Sequence, residues 1–210
     1  MRTEDLIDAL ARDAKSVSPA VSSWLMLYLA AGCGVAIALF LMMLGPRQDF
    51  FDAIATPWYP LKIALVAAVA IAAFPIAEAL ARPGARVPGK WLLLAAAGLG
   101  AAVFADLLAY GTDSASARMV GRNFHACMTI IPIFASAPLV ATLAALRRAA
   151  PTNPMMAGLV AGILSGAIGG TLYGLYCPDD SPLFVAVWYT IAISIVAFAG
   201  AIAGRFALRW

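Results

Sequence analysis

Charged side chains punctuate a chain that is otherwise apolar. Six stretches hold no Asp, Glu, Lys or Arg: residues 16–46, 63–77, 91–105, 123–146, 149–178 and 181–204. A charge at the centre of a bilayer costs about 2.5–3.5 kcal/mol even on lenient insertion scales, so such stretches are the units from which membrane spans are counted. The second and third fall short of the ~20 residues a span needs. Each extends if one charge lies near an interface: Lys62 by snorkelling, Glu78 by pairing with Arg82 one turn on, and Asp106 by lying near a span's end. The pattern predicts helices near residues 24–44, 58–81, 90–110, 124–146, 155–176 and 183–204. Trp24, Trp58, Tyr59, Trp91, Tyr110, Tyr176 and Trp188 fall near their edges, as interfacial aromatics do.

Composition agrees with this reading. Over 210 residues, 63% are hydrophobic and 12% charged, against about 45–50% and about 25% in soluble domains. The few polar residues could not cover a water-facing surface, which excludes a soluble two-domain enzyme, a disordered regulator and a disulfide-stapled secreted module. The expected fold is an all-α polytopic membrane protein, a six-helix transmembrane bundle preceded by a short amphipathic helix. The net charge of +3 is small and its basic residues are scattered, so direct nucleic-acid binding is not expected.

Ten basic residues (Arg2, Arg12, Lys15, Arg82, Arg86, Lys90, Arg147, Arg148, Arg205 and Arg209) fall on one side of the predicted spans, and three (Arg47, Arg118 and Arg122) on the other. The positive-inside rule then puts both termini in the cytoplasm and turns the loops at 45–57, 111–122 and 177–182 outward. Four acids and three bases precede the first apolar run, and no small-x-small site follows it, so no cleavable signal peptide is expected. The chain divides into a cytoplasmic segment 1–22, a membrane domain 23–204 and a basic tail 205–210.

Within the first segment, Thr3 to Val17 reads as an amphipathic helix. Thr3 is its N-cap, Glu4 and Asp5 occupy the first turn, and Leu6, Ile7, Leu10, Ala14 and Val17 share one face. That face either docks on a soluble partner, with Leu6, Ile7 and Leu10 as anchors, or lies on the inner leaflet. Its four acids would be repelled by anionic lipid, which counts against the second alternative.

Cys127 and Cys177 are the most informative pair. Each lies 25 residues from Thr152, in the turn between the fourth and fifth helices. At about 1.5 Å of rise per residue both belong at the same height, on the outer rim. There two thiols either bridge as a disulfide, share a soft metal, or pack as small apolar residues. His125 and Asp106 approach the same rim as accessory candidates. Positions 125 and 127 on a regular helix point about 200° apart, however, so hydrogen bonding suits His125 better than ligation. Cys33 reads as packing, and Glu78 with Arg82 as an inner-interface ion pair.

The fifth helix carries Gly158, Gly162, Gly166, Gly170 and Gly174, a four-residue period suited to close helix packing within or between chains. With so little bulk, that helix could slide or rotate and carry a change at Cys177 inward. Pro75, Pro132 and Pro138 permit kinks.

The segments RTEDLIDALARDA, FHACMTIIP, PLVATLAALRRAAPTNPMMAGLVAG, LYCPDDSPLFVAVWY and GRFALRW resemble the NrsF family, negative regulators of sigma-F, along the whole chain. The resemblance implies a six-helix inner-membrane anti-sigma factor that holds an extracytoplasmic-function sigma factor of the sigma-F type and releases it under metal or oxidative stress. It further implies that Cys127 and Cys177 are the paired sensor cysteines and that the opening segment faces the sigma factor. It leaves disulfide against metal open. No obligatory cofactor is expected, only a transient soft ion of the zinc, cadmium or copper class on Cys127 and Cys177. The alternative is a small-solute or metal transporter or a membrane thiol-redox protein. The absence of a CxxC motif and of midplane charges counts against it.

Overall fold

Long apolar runs offer their backbone no water to bond, so they close their hydrogen bonds internally as helices. The computed structural model describes residues 21–82, 84–149 and 151–209, and they contain helices and no strand. Six helices are long and apolar enough to cross a membrane. They are α1 (Val21–Met43), α2 (Trp58–Leu80), α3 (Lys90–Tyr110), α4 (Phe124–Arg147), α5 (Pro154–Gly174) and α6 (Pro182–Ala207). Their bounds lie within a few residues of those the charge pattern predicts. Short helices at Phe50–Ile54 and Ala115–Val120, which apolar run length does not reveal, stiffen two of the connections.

Local chemistry sets several ends. Asn153 caps α5 by accepting the amide of Met156 at 3.1 Å, and Pro154 follows in the first turn, where its missing N–H costs nothing. Ser181 and Pro182 open α6 in the same way. Glu78 and Arg82 pair one turn apart at the end of α2, as expected.

The bundle is organised around α5, which packs against α6, α4 and α2, while α1 lies on α4. In its apolar window 61% of α5 is buried, against 11% of α3, which leans chiefly on α2 at the periphery. Glycine is the reason α5 can sit at the centre. A Cβ on Gly162 would stand 2.5 Å from the Cα of Ala197, and Gly158 and Gly166 also face α6. Gly170 and Gly174 meet both α2, at Val66 and Ile63, and Tyr189 of α6. The stripe therefore packs within the chain. Gly169, outside the four-residue period, is the glycine that admits α4, with the carbonyl of Ile131 2.6 Å from where its Cβ would be.

Alternating direction puts the α1–α2, α3–α4 and α5–α6 connections at one end, which also carries Cys127 and Cys177. The amphipathic segment with Leu6, Ile7 and Leu10 lies outside the described residues.

Candidate functional site: a buried thiol pair under a charged loop

Cys127 sits in the first turn of α4, its amide bonded to Asn123 at 3.0 Å, and Cys177 lies just past α5, its amide bonded to Tyr173 at 3.0 Å. Both are fully buried and free of any disulfide. The structure brings them together in one buried cluster. The shared apolar cluster around them includes Ile131, Phe134, Tyr173, Phe184 and Tyr189.

Two features of α5 and α6 shape this pocket. In α6 the segment Val185–Tyr189 is a π-helical turn, a form that recurs at functional sites, and Tyr189 closes it on the buried side. The hydroxyls of Tyr173 and Tyr189 are buried without a hydrogen-bond partner, and both residues share the buried cluster with the thiol pair. A neutral thiol is a weak acceptor, whereas a thiolate is a strong one.

Above the thiols, the loop Cys177–Ser181 is tied down by charge. Lys62 of α2 is almost wholly buried, at 1% exposure. Its ammonium donates to the carbonyl of Cys177 at 2.7 Å and to the carboxylate of Asp180 at 2.6 Å. Asp180 also accepts from Arg47 at 3.0 Å. Asp179 reaches across to the start of α4, accepting from the backbone amide of Asn123 at 3.0 Å and its side-chain amide at 2.9 Å. The backbone amide of Arg122 adds a third donor at 3.2 Å. This carboxylate therefore satisfies orphan donors at the α4 N-terminus, where negative charge is favoured. The loop that carries one cysteine thus caps the helix that carries the other.

The thiols are unequal. The hydrogen bond from Cys127, the Lys62 ammonium and the backbone bond from Asp179 together outweigh burial and bring the Cys177 thiol down to about 7. Outside the loop, the bidentate bond to Asp49 holds the Arg47 guanidinium charged, its pKa raised, and in return lowers that of Asp49.

The accessory candidates lie apart from the sulfurs. His125 is exposed and stacked on Phe124, with ring centroids 3.8 Å apart. Asp106 is buried at 1% exposure and accepts from Arg118 at 3.1 Å and from Ser181 at 3.4 Å, so it anchors the connection around Ala115–Val120. Among the described residues no group of three or more His, Cys, Asp or Glu is arranged to hold a metal. Cys33 is half-buried on an apolar cavity of about 260 Å³ with Ile37, Ala67 and Ile168, away from the pair.

Sequence reasoning misplaced Lys62, expected to snorkel toward an interface. It turns inward because Asp180 and the Cys177 carbonyl offer a buried ammonium better partners than lipid headgroups do. It also passed over Asp179, Asp180, Tyr173 and Tyr189. The available signal was Lys62 itself, a basic residue inside an apolar run that implies a specific partner.

The chain matches the NrsF family, described as negative regulator of sigma F, over residues 10–210. It belongs to that family. Two NrsF relatives align over the full length of both chains. The anti-sigma-F factor NrsF of Caulobacter vibrioides is 34% identical over 214 residues, and the probable anti-sigma-F factor NrsF of Azospira oryzae is 31% identical over 214 residues. No solved structure matches the chain. The NrsF assignment makes this a negative regulator of sigma F.

Proposed function

We propose that this protein is an inner-membrane anti-sigma factor that holds an extracytoplasmic-function sigma factor of the sigma-F type and releases it when Cys127 and Cys177 meet a soft metal or an oxidant. Family membership supports the class of partner. The observation that carries the sensing role is the burial of two free thiols in one cluster under a loop that links α2, α4 and α5.

In this reading the excess of basic residues at the opposite end faces the cytoplasm, with residues 1–22 offering Leu6, Ile7 and Leu10 to the sigma factor. The thiol end faces the periplasm, where metals and oxidants arrive and thiols are not kept reduced. Two adjacent thiolates suit a soft cation, and the same two sulfurs can instead bond to each other. Either change alters the contact that joins the start of α4 to the end of α5, and the close packing of α5 on α6 carries it across the membrane. Moving from mostly held to mostly released needs a bias of about 5.5 kcal/mol between the two packings.

The test is a sigma-dependent reporter in cells carrying the double variant Cys127→Ser, Cys177→Ser, exposed to a cadmium salt or a thiol oxidant. The expected result is a reporter that stays off under both. Induction equal to that of the unmodified protein would refute the sensor assignment.

A further inference from the structure

Helices α2 and α3 are fastened to each other at one end only. Toward the thiol end, Trp58 donates to the hydroxyl of Tyr110 at 2.9 Å, and the two rings lie 5.9 Å apart. The buried residues of α3, Ala102 and Asp106, belong to this half. Near mid-helix the pair is still in contact, since a Cβ on Gly98 would stand 3.7 Å from Leu65. From Lys90 to Ala101 no residue of α3 is buried, and the helices part around an apolar groove of about 630 Å³.

Small side chains make this groove. Ala64, Ala68 and Ala72 follow one another at four-residue spacing along α2, and Trp91, Ala95 and Gly98 face them from α3. From Ala64 to Pro75 the groove runs about 16 Å along α2 at 1.5 Å per residue. That is close to one leaflet's half of a hydrocarbon core of about 30 Å. The volume falls within the roughly 300–1,000 Å³ of small-ligand sites, and the alanine walls suit an alkyl chain laid lengthwise.

The mouth of the groove is positive. Between Glu78 and Asp106 the sequence holds three bases, Arg82, Arg86 and Lys90, and no acid. Glu78 takes up Arg82 at 2.5 Å. Among the described residues Arg86 and Lys90 are exposed and form no salt bridge. The Lys90 ammonium stands 5.5 Å from the centroid of the Trp91 ring, and that ring lines the groove, so the charge is held beside the entrance.

We propose that this groove binds one anionic phospholipid, with an acyl chain between α2 and α3 and the headgroup phosphate at Arg86 and Lys90. Basic pockets beside membrane helices select such headgroups. The lipid tail gives the first half of α3 the packing that its protein neighbours do not. A second copy of the chain fits less well: a symmetric contact through this face would set Arg86 and Lys90 against their own counterparts, and like charges repel. The site lies at the end of the bundle opposite the thiols, and neither cysteine takes part in it.

The experiment places full-length protein in vesicles of phosphatidylcholine and phosphatidylglycerol with matched chains. One lipid at a time carries brominated chains, which quench tryptophan on contact. The difference between the parent protein and Trp91→Phe isolates the signal of Trp91. Brominated phosphatidylglycerol is expected to quench Trp91 more strongly than brominated phosphatidylcholine at equal mole fraction. Arg86→Gln and Lys90→Gln are each expected to lower that preference about fivefold, the worth of one basic residue beside an anionic headgroup. Both change exposed side chains.

Ala68→Leu and Ala95→Leu fill the groove from opposite walls and leave the bases in place. Each is expected to abolish the preference at Trp91, and far-UV circular dichroism confirms which of them keeps the parent's helical content. If neither does, the two glutamine variants decide the matter. Equal quenching by the two lipids, or a preference indifferent to Arg86 and Lys90, would overturn the proposal. So would a preference that survives a filled groove, which would mean that anionic lipid only gathers at a basic surface. Weak quenching by both lipids, with chemical cross-linking of two chains through α3, would give the groove to a second copy instead.

Discussion

Alanine at Gly162 tests whether the bundle is built on backbone contact between α5 and α6. The added methyl would stand 2.5 Å from the Cα of Ala197 and 2.5 Å from the carbonyl oxygen of Val196. Both are backbone atoms in mid-helix, so no side chain can swing aside. Ordinary contact needs roughly 1 Å more, and two close-packed helices must part locally to supply it. Overpacking of this kind costs about 1–3 kcal/mol, and the better helix propensity of alanine returns up to about 1 kcal/mol. The net expectation is a loss of about 1–2 kcal/mol.

Gly34 of α1 is the control, since a Cβ there meets nothing within 4 Å. Gly34→Ala keeps the propensity gain and carries no steric cost, so the two variants differ by the steric cost alone, about 1–3 kcal/mol. At about 2–4 °C per kcal/mol for a chain of this size, thermal unfolding in detergent followed by far-UV circular dichroism should separate them by about 2–12 °C. If Gly162→Ala and Gly34→Ala melt together, α5 and α6 are not in backbone contact and the proposed route for transmission across the membrane is lost.

Two further predictions concern the charged loop and the opening segment. Asp179→Ala removes the acceptor for the amides of Asn123 and Arg122, a capping loss of about 1–2 kcal/mol. Deuterium uptake across Arg122–Cys127 should rise in hydrogen-exchange mass spectrometry while the middle of α5 stays protected. An unchanged uptake would show that α4 does not depend on the loop. In the opening segment, the paired change Leu6→Asp, Leu10→Asp should abolish capture of a sigma-F-type sigma factor by the detergent-solubilised protein and leave its thermal unfolding unaltered; retained capture would place the binding surface elsewhere.

How far the molecule could be read in advance varies by element. The six spans follow from charge exclusion, because the bilayer penalises ions over a fixed thickness. The matched height of Cys127 and Cys177 follows from the short turn at residues 151–154 and the fixed helical rise. The glycine period of α5 announces close packing, but periodicity cannot say which helix fills each notch. Gly158 and Gly162 meet α6, Gly170 and Gly174 meet α2 and Tyr189 together, and Gly169, off the period, meets α4. The π-helical turn at Val185–Tyr189 has no local signature, since it depends on what packs against it.

Hydropathy, helical rise and the order of the motifs are properties of the chain taken a turn or two at a time. They determined the all-helical membrane class, the number of spans and the pairing of the cysteines in height. Which groups surround those sulfurs was a matter for the tertiary structure alone. Lys62 lies more than a hundred residues from Asp180, and a buried charge finds its partner only once the helices have set their rotations and the connecting loop has folded over them.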